Sequence, residues 1–554
     1  MTTATELEAL LTGYENGSAD FADDAFAPGA LASLDEAEEF PAQAVRVLDE
    51  AGLAAHYVLT DGVELPETVR LLRTVSRRDL TVAIAHGKTF LGAAPTWVAG
   101  TPEQISGLAE RVRAGDIVCW GLTERGHGAD LLAGELTAVA DDPGGWRLAG
   151  EKWLINNAGR STLACVLART DPAGGGRGFS LFLVDKGQLP EGSWRTLPKV
   201  RTHGVRGADI SGFALDGARV PAAALIGAEG DGIPIVLKSL QLTRILAGAL
   251  SLGAADHALR LARDFATGRE LYGRRLADVP HVRRVLGRAA TSALLAEAVS
   301  LLAARSAHSL PGELSVVSPI AKAYVPSLTQ ETLTTLGELL GVRGFLTSPP
   351  GSGFAKLERD HRICPVFDGS TVVNRAALLN QLPRLVRQLS RHRADLDGLR
   401  AAADLGAPLP PCDRDCLSLL SVTGCSAVQA MPDTVDRIRC EGPPELAALT
   451  TPLLDELTLL EKESAAFVPV AGGLPSTAFE LAERYERAYA AAACLLLWLE
   501  NPGLRTGPLG ADALWPRACL TALLGADDNA VSDAMAAVLL DWNAPEFTLL
   551  GGTE

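Results

Sequence analysis

The sequence changes its hydrophobic period twice, and this change is the strongest constraint on the fold. Before residue 117 and again after Pro221, apolar residues recur at helical spacing. Between 117 and about 220, Gly, Pro and Asp turns divide short apolar runs such as LTAVA, LACVLART and FSLFLVD, which is typical of strands. The chain is therefore predicted to carry a β-domain inserted between helical domains.

Helical periodicity predicts individual helices on both sides of this insert. They cover residues 41–53, 103–114, 233–266, 281–309, 318–341 and 371–389. Beyond about 390 the sequence stays helical, with Pro-rich breaks. The predicted fold class is a multidomain α+β protein, with an N-terminal helical domain (1–117), a central β-barrel or sandwich domain (118–221), a helical bundle (222–389) and an additional helical domain (390–554).

Charge and hydropathy restrict the partners of the chain. The net charge is −17, from 67 acidic and 50 basic residues, which disfavours nucleic acid and anionic membranes as partners. Neither a signal peptide nor a membrane span is evident, so a cytoplasmic protein is expected. The apolar segment 488–500 could be buried or touch a membrane, and the scarcity of basic residues beside it favours burial.

The nine cysteines are few, odd in number and scattered, which argues against a disulfide framework. The cluster at 412–440 contains no CxxC pair, and no histidine follows His392. Buried or surface thiols are therefore favoured over a zinc site, and no metal is expected.

Three segments carry the chemical information: CWGLTERGHGAD (119–130), GEKWLINN (150–157) and RDHRICPVFDGSTVVNR (359–375). In this order and at these separations they resemble the acyl-CoA dehydrogenase family of flavoproteins, over about residues 20–385. The segment 85–104 and the length beyond 390 resemble the extended, very-long-chain branch of that family. The resemblance implies FAD as cofactor, the acyl-CoA dehydrogenase fold and a homodimer.

Abundant alanine and arginine suggest a bacterial source.

The resemblance implies that Asp368 is the catalytic base, where the family usually has glutamate, with Gly369 and Ser370 beside the flavin and the thioester. Arg244, in QLTRILAGALSLG, matches a family arginine that fixes or electrostatically tunes this base. Two alternatives stay open: Asp368 as the N-cap of the following helix, and Arg244 as a surface arginine.

A further match, the pair Arg359 and Asp360 before the base, is interpreted as a structural ion pair rather than a catalytic one.

The resemblance places the flavin ring against two strands, at Trp120, Leu122, Thr123, Ile155 and Asn156. The Thr123 hydroxyl and the N–H groups of 122–123 are expected to donate to the ring. Leu154 stands where an aromatic residue usually packs on the flavin. Trp153 is expected to face the opposite side, because neighbouring strand residues alternate.

For the distal half of FAD, the resemblance implies Arg269 as the phosphate contact, Tyr272 beside it, and Gly341 as a close backbone approach. Glu338 stands where glutamine is usual, and a carboxylate near a diphosphate is unfavourable unless an arginine compensates.

The predicted substrate-binding residues depart from the family pattern. Ala129 replaces a serine that helps to hold the pantetheine arm, while Arg125 replaces a proline and His127 a small residue. The two cations could bind a polar or carboxylated substrate or be solvated loop residues.

Three functions follow. The first is FAD-dependent α,β-dehydrogenation of an acyl thioester or related activated acyl compound. The second is a specialised enzyme of natural-product biosynthesis that couples decarboxylation, desaturation and monooxygenation of a β-keto acid, as in epoxyketone formation. The third is a non-enzymatic relative. The acyl group could be bound to CoA or a carrier protein, or be a free β-keto acid; the electron acceptor could be an electron-transfer flavoprotein or oxygen.

Overall fold

A computed structural model describes residues 2–16, 24–60, 62–141, 144–348, 353–389, 391, 393–469 and 473–552. The chain folds into two compact units, residues 1–243 and 244–554. Each unit is described by itself.

The first unit begins with helices whose ends are set by local capping. They are α1 (Ala4–Glu15), α2 (Pro28–Ala37), α3 (Ala42–Glu50), α4 (Leu65–Ser76), α5 (Leu80–Ala99) and α6 (Pro102–Arg113). Thr3 and Thr101 each form a capping box with the residue three positions on. The helices predicted at 41–53 and 103–114 are confirmed, since they correspond to α3 and α6.

An eight-stranded sheet follows. Its strands are β1 (Val118–Gly121), β2 (Thr137–Asp141), β3 (Gly145–Asn156), β4 (Leu163–Arg169), β5 (Phe179–Asp185), β6 (Trp194–Leu197), β7 (Ile210–Pro221) and β8 (Leu225–Ile226). They are ordered β6-β7-β3-β2-β4-β5-β8, and β1 pairs with β4 in parallel. The predicted β-insert is therefore confirmed.

Two apolar clusters sandwich this sheet. One is centred on residues such as Cys119, Leu148 and Phe213, and the other joins Trp120 and Phe179 to the first turns of the next helix. The long antiparallel pairing of β3 with β7 is interrupted by register shifts at 148/150 and at 153/155.

In the described residues of the second unit, the regular elements are helices and one small hairpin. Its elements are α7 (Gly232–Gly268, which begins in the first unit), β9 (Glu270–Leu271), β10 (Arg274–Arg275), α8 (Pro280–Ser309), α9 (Leu314–Leu340), α10 (Val342–Phe345), α11 (Phe354–His361), α12 (Thr371–Leu389), α13 (Leu396–Ala403), α14 (Ser426–Gln429), α15 (Met431–Glu441), α16 (Pro444–Ala448), α17 (Thr450–Ala465), α18 (Ser476–Glu500), α19 (Gly507–Gly510), α20 (Leu514–Leu523) and α21 (Asn529–Asp541). The helices predicted over 233–266, 281–309, 318–341 and 371–389 correspond to α7, α8, α9 and α12.

Residues beyond 390 pack on α8, α9 and α12 within this unit. Gly287 on α8 allows the closest approach, because a Cβ there would lie 1.9 Å from the Ser532 carbonyl oxygen of α21. On α12, the Arg375 guanidinium binds the buried Glu486 carboxylate of α18 at 2.9 and 3.0 Å. The extension is thus joined to the bundle by packing and by ion pairing.

Residues 490–499 of α18 are buried, which confirms burial over membrane contact for this segment. Helices α7 and α8 are long and apolar enough to cross a membrane by length and composition alone. However, 89% and 83% of their apolar windows are buried inside the fold, as in core helices.

Candidate active site

The turn between α11 and α12 holds Asp368 in an uncommon backbone conformation. Asp368 has φ +56° and Gly369 has φ +92°, so two consecutive residues occupy the left-handed region. Glycine adopts this region freely, and aspartate tolerates it better than most other side chains do. Such a conformation persists only when the surrounding residues enforce it. The contacts of this turn therefore show which residues hold Asp368 in place.

The cap of α12 is Ser370, not Asp368. The Ser370 hydroxyl oxygen accepts a hydrogen bond from the Val373 N–H at 3.3 Å, which is the N-cap contact of a helix that begins at Thr371. The capping role left open for Asp368 by the sequence therefore falls to its neighbour.

Arg244 of α7 is buried beneath the same turn. Its Nε donates to the Asp368 carbonyl oxygen at 3.2 Å, and the residue is 6% exposed. The alternative of a surface arginine is therefore wrong. Burial lowers the pKa of Arg244 to about 10, although the nearby Asp368 carboxylate acts in the opposite direction.

Two residues that the sequence interpretation missed also contact the turn. The buried Lys322 ammonium of α9 donates to the carbonyl oxygens of Cys364 at 2.7 Å and Gly369 at 3.3 Å. The Asn374 amide of α12 donates to the carbonyl oxygens of Gly369 at 2.8 Å and Ser370 at 3.0 Å. Helices α7, α9 and α12 thus bind four carbonyl groups of residues 364–370.

These contacts also orient N–H groups. In a trans peptide the N–H points opposite to the carbonyl oxygen of the preceding residue. Because Arg244 binds the Asp368 oxygen, the Gly369 N–H is directed away from Arg244. In the same way, Lys322 and Asn374 direct the Ser370 N–H away from themselves. The turn can therefore present a carboxylate together with oriented backbone donors.

His361 lies on α11, directly before the turn, and is fully buried. Its ring nitrogens contact the Gln330 amide oxygen and the Ser251 hydroxyl, each at 2.9 Å. Burial and the positive charge of Lys322 lower the pKa of His361 to about 3, so the imidazole is neutral near pH 7.

The neighbouring Asp360 carboxylate accepts from Arg359 at 3.1 Å and from Lys356 at 2.7 Å. This agrees with the structural ion pair that the sequence predicted.

In the first unit, the residues predicted to contact the flavin ring differ in accessibility. Trp120 is 8% exposed and packs in an apolar cluster, while its Nε1 lacks a hydrogen-bond partner among the described residues. Ile155 is 3% exposed and belongs to the core, so only its backbone could reach a ligand. Leu122 and Asn156 are partly accessible.

Two of the three donors expected for the ring, the Thr123 hydroxyl and the Leu122 N–H, are engaged within the chain. The Thr123 hydroxyl donates to the Trp153 carbonyl oxygen at 2.7 Å, and the Leu122 N–H donates to the Trp120 carbonyl oxygen at 3.2 Å. The chain bends directly after β1, which brings these groups together. Donation by these groups to the flavin stays a prediction.

Leu154 is the extra residue of a β-bulge. Trp153 pairs with Gly212 and Ile155 with Ser211, which leaves Leu154 unpaired, with φ +57° and 41% exposure. The alternation assumed for Trp153 and Leu154 therefore fails at this point. A branched apolar residue in the left-handed region is strained, and such strain is concentrated at functional sites.

The loop after β1 carries the predicted substrate contacts. The exposed Arg125 guanidinium lies 4.8 Å from the centroid of the Trp153 ring, so the arginine is not simply solvated. His127 Nε2 lies 3.5 Å from a Glu135 carboxylate oxygen, and Ala129 is exposed.

A buried ion pair that the sequence interpretation missed supports this loop. Lys152 donates to the Glu124 carboxylate at 2.8 Å, and Glu124 accepts from the N–H groups of 135 and 136. In the sequence, this ion pair is indicated only by the charged Lys152 within the strand motif GEKWLINN.

The residues predicted for the distal half of FAD lie on the surface of the second unit. Arg269 is exposed beside the hairpin of β9 and β10, and Tyr272, in its turn, is 100% exposed with φ +54°. At the end of α9, Gly341 has φ +57° and ψ −135°, a conformation for glycine, and open space where a Cβ would stand. Glu338 is exposed nearby.

Two further observations limit the site. Among the described residues, no group of three His, Cys, Asp or Glu side chains could hold a metal ion. A cavity of about 290 Å³ in the first unit is lined by residues of α6 and by the ends of β5 and β7, and it includes none of the predicted site residues.

Comparison with known proteins identifies both central domains. The model of the acyl-CoA dehydrogenase middle domain matches residues 119–218, and that of the acyl-CoA dehydrogenase C-terminal domain matches residues 230–382. Probable acyl-CoA dehydrogenase FadE25 of Mycobacterium tuberculosis is 28% identical over 362 residues, which cover 64% of this chain and 90% of that protein.

Solved structures extend the likeness. An acyl-CoA dehydrogenase from Bacillus anthracis, complexed with FAD, has a TM-score of 0.68 at 19% identity and covers 97% of this chain and 87% of its own. The prolyl acyl carrier protein oxidase AnaB has a TM-score of 0.60 at 19% identity, over 68% of this chain and 98% of its own. These two likenesses establish the fold, and the first includes the residues beyond 390.

Proposed function

Because residues 119–218 and 230–382 match the middle and C-terminal domains of acyl-CoA dehydrogenases, we propose that the chain is an FAD-dependent oxidoreductase that desaturates an acyl thioester or a related activated acyl compound at Cα–Cβ. The observation that carries the proposal is the turn at Asp368. A carboxylate on a strained turn, with four surrounding carbonyl groups bound by three helices, is arranged as a positioned base rather than as a solvated loop residue.

In this proposal Asp368 removes the α-proton, which moves from the substrate carbon to a carboxylate oxygen. Arg244 fixes the backbone of Asp368 through its carbonyl oxygen. The N–H groups of Gly369 and Ser370 supply oriented donors for the charge that develops on the thioester oxygen. When bound, FAD supplies the acceptor for the hydride that leaves the β-carbon.

The residues present fit FAD. Trp120 has a buried Nε1 without a partner among the described residues, as expected where a ligand completes the site. Gly341 leaves its backbone open for a diphosphate, and Arg269 and Tyr272 are accessible. We propose that the same exposed hairpin and the neighbouring α10 meet a second copy of the chain, giving a homodimer.

A second candidate function rests on Arg125. Its guanidinium is held over the Trp153 ring and exposed, which suits a free carboxylate. A carboxylated substrate is required by the decarboxylating, desaturating and oxygenating reaction of a β-keto acid. Arg125→Ala should raise KM for such a substrate with little change for a neutral acyl-CoA, and an unchanged KM would remove this support.

The carrier of the acyl group also belongs to the proposal. AnaB is named as an oxidase of a prolyl acyl carrier protein, so the fold admits carrier-bound substrates. Ala129, in place of a serine expected to hold pantetheine, supports a substrate other than a routine fatty acyl-CoA. We further propose a cytoplasmic enzyme of natural-product biosynthesis whose acceptor is oxygen or an electron-transfer flavoprotein.

The test is anaerobic reduction of the purified protein by candidate acyl compounds, followed by admission of oxygen with the product mass recorded. Bleaching by an acyl-CoA, an enoyl product and slow reoxidation would support the dehydrogenase. Incorporation of oxygen or release of carbon dioxide from a β-keto acid would support the second function. Purified protein that neither contains nor binds flavin would contradict both enzymatic functions and would favour the non-enzymatic alternative.

A further inference from the structure

The Lys322 ammonium is in an unusual environment. The residue is 0% exposed, and its Nζ donates to the carbonyl oxygens of Cys364 at 2.7 Å and Gly369 at 3.3 Å. It also lies 5.3 Å from the centroid of the Phe367 ring. Lysine is almost never fully buried unless it is paired, because removal of a charge from water is unfavourable.

These contacts join the two ends of the turn that contains Asp368. Cys364 lies before Asp368 and Gly369 directly after it, so one ammonium group closes a segment of six residues. Arg244 binds the carbonyl between them, and Asn374 binds Gly369 from the other side. A methionine at 322 would fill the same space without these bonds, so packing alone does not account for a lysine.

We propose, resting on the proposed function, that Lys322 is a positioning residue for Asp368. It holds the turn in its left-handed conformation through the carbonyl groups of Cys364 and Gly369. Lys322 therefore acts through the backbone of the turn.

Lys322 is not the only charged group beside the turn. Arg244 faces it from α7 and His361 from α11, while Asn374 of α12 is neutral. His361 is neutral across the working range, since burial and the positive charge of Lys322 lower its pKa to about 3. Arg244 therefore remains as a second cationic donor to the turn when Lys322 is replaced.

The experiment compares Lys322→Met, which removes the charge and the donors, with Lys322→Arg, which keeps the charge. The matched control is Lys356→Met, a lysine of the same unit that pairs with Asp360 rather than with the turn. Amide hydrogen exchange of residues 364–370 is followed by mass spectrometry in the purified full-length protein. Anaerobic flavin reduction is measured with the substrate that reduces the wild type best.

In Lys322→Met, the amides of the turn should exchange at least about tenfold faster, and flavin reduction should slow by about 30- to 100-fold with KM within about threefold. Lys322→Arg, which keeps a cationic donor, should recover most of the reduction rate and of the exchange protection. Lys356→Met should change none of these quantities.

The outcomes separate this inference from the proposed function. If no acyl compound reduces the wild-type flavin, the proposed function fails, whatever the exchange data show. If the wild type is reduced but Lys322→Met keeps its exchange and its rate, Lys322 has no positioning role. A slower rate with unchanged exchange of residues 364–370 would also overturn the inference, because the turn would then be held without Lys322. If Lys322→Met does not fold, Lys322→Gln, which keeps a shorter neutral donor, carries the same comparison.

Discussion

Two parts of the second unit that the resemblance assigns to one reaction are built in opposite ways. The turn at 364–370 is bound from three helices by Arg244, Lys322 and Asn374. Among the described residues, the surface predicted to bind the distal half of FAD and the adjoining α10 show no comparable set of side-chain contacts. Tyr272 is 100% exposed, Val342 68% and Phe345 83%.

The contrast follows from what each part must do. A group that transfers a proton must be held within a fraction of an ångström before the substrate arrives, so the chain itself supplies the restraints. A surface that binds a large cofactor or a second protomer can be completed by that partner. Base-turn variants should therefore change chemistry or stability, and variants of the exposed surface should change affinity alone.

The largest effect is expected from Asp368→Asn, which keeps the shape and the tolerance of the left-handed region but removes the base. Flavin reduction should fall by about 1,000-fold, in the range typical of general bases. Stopped-flow reduction under anaerobic conditions measures the rate, while FAD content and Tm should stay at wild-type values. Retention of more than about a tenth of the rate would exclude Asp368 as the base.

His361 gives the next largest effect, on acid stability. Its pKa is lowered to about 3 in the folded protein, so below about pH 6.5 the unfolded chain binds a proton that the folded chain does not. Stability is thus fully present above pH 6.5 and falls as the pH decreases, by about 2 kcal/mol at pH 5.

His361→Gln should therefore show a smaller decrease in Tm between pH 7 and pH 5 than the wild type, by a few degrees. The exposed His281 is the matched control, and His281→Gln should keep the wild-type difference. Equal differences for all three proteins would contradict the buried neutral imidazole.

Arg269→Ala tests the exposed surface. The Kd for FAD should rise about tenfold, since one charge-assisted hydrogen bond contributes about 1.5 kcal/mol. The rate of flavin reduction at saturating FAD should not change. Fluorescence titration of the flavin-free protein measures Kd, with Arg274→Ala on the same hairpin as the comparison. If Arg269→Ala changed the reduction rate but not the Kd for FAD, the proposed distinction between the base turn and the exposed surface would be wrong.

The smallest effect is expected from Glu338→Gln, which removes an exposed carboxylate from the predicted diphosphate site. The same titration should give a Kd about threefold lower, because repulsion between exposed charges is weak and screened. Its sensitivity to salt should also decrease. A higher Kd would place Glu338 away from the phosphates.

Much of the secondary structure, and the two residues Asp368 and Arg244, could be predicted from the sequence because the relevant patterns are local. The helices α8, α9 and α12 follow from a 3.6-residue period, and the β-insert from short runs divided by turn residues. Asp368 and Arg244 follow from motifs whose order resembles a known family. Thr123 and Ile155 show what that approach cannot predict. A motif match does not state to which acceptor the Thr123 hydroxyl donates, or that the Ile155 side chain is buried in the core.

The bulge at Leu154 shows the same limit. Strand periodicity assumes one residue per pairing position, and a single extra residue moves every later side chain to the other face. Whether a register shift occurs depends on the partner strand β7, which lies more than fifty residues away in the chain.

The sequence by itself determined the succession of helical and strand regions, the resemblance to acyl-CoA dehydrogenases and the presence of a carboxylate at 368. Only the tertiary structure decided how that carboxylate is held. Lys322 contacts Cys364 and Gly369 through main-chain oxygens, and every residue type has such an oxygen. Because a backbone carbonyl leaves no mark in the sequence, a buried cation that recognises one can be identified only when the chain is folded.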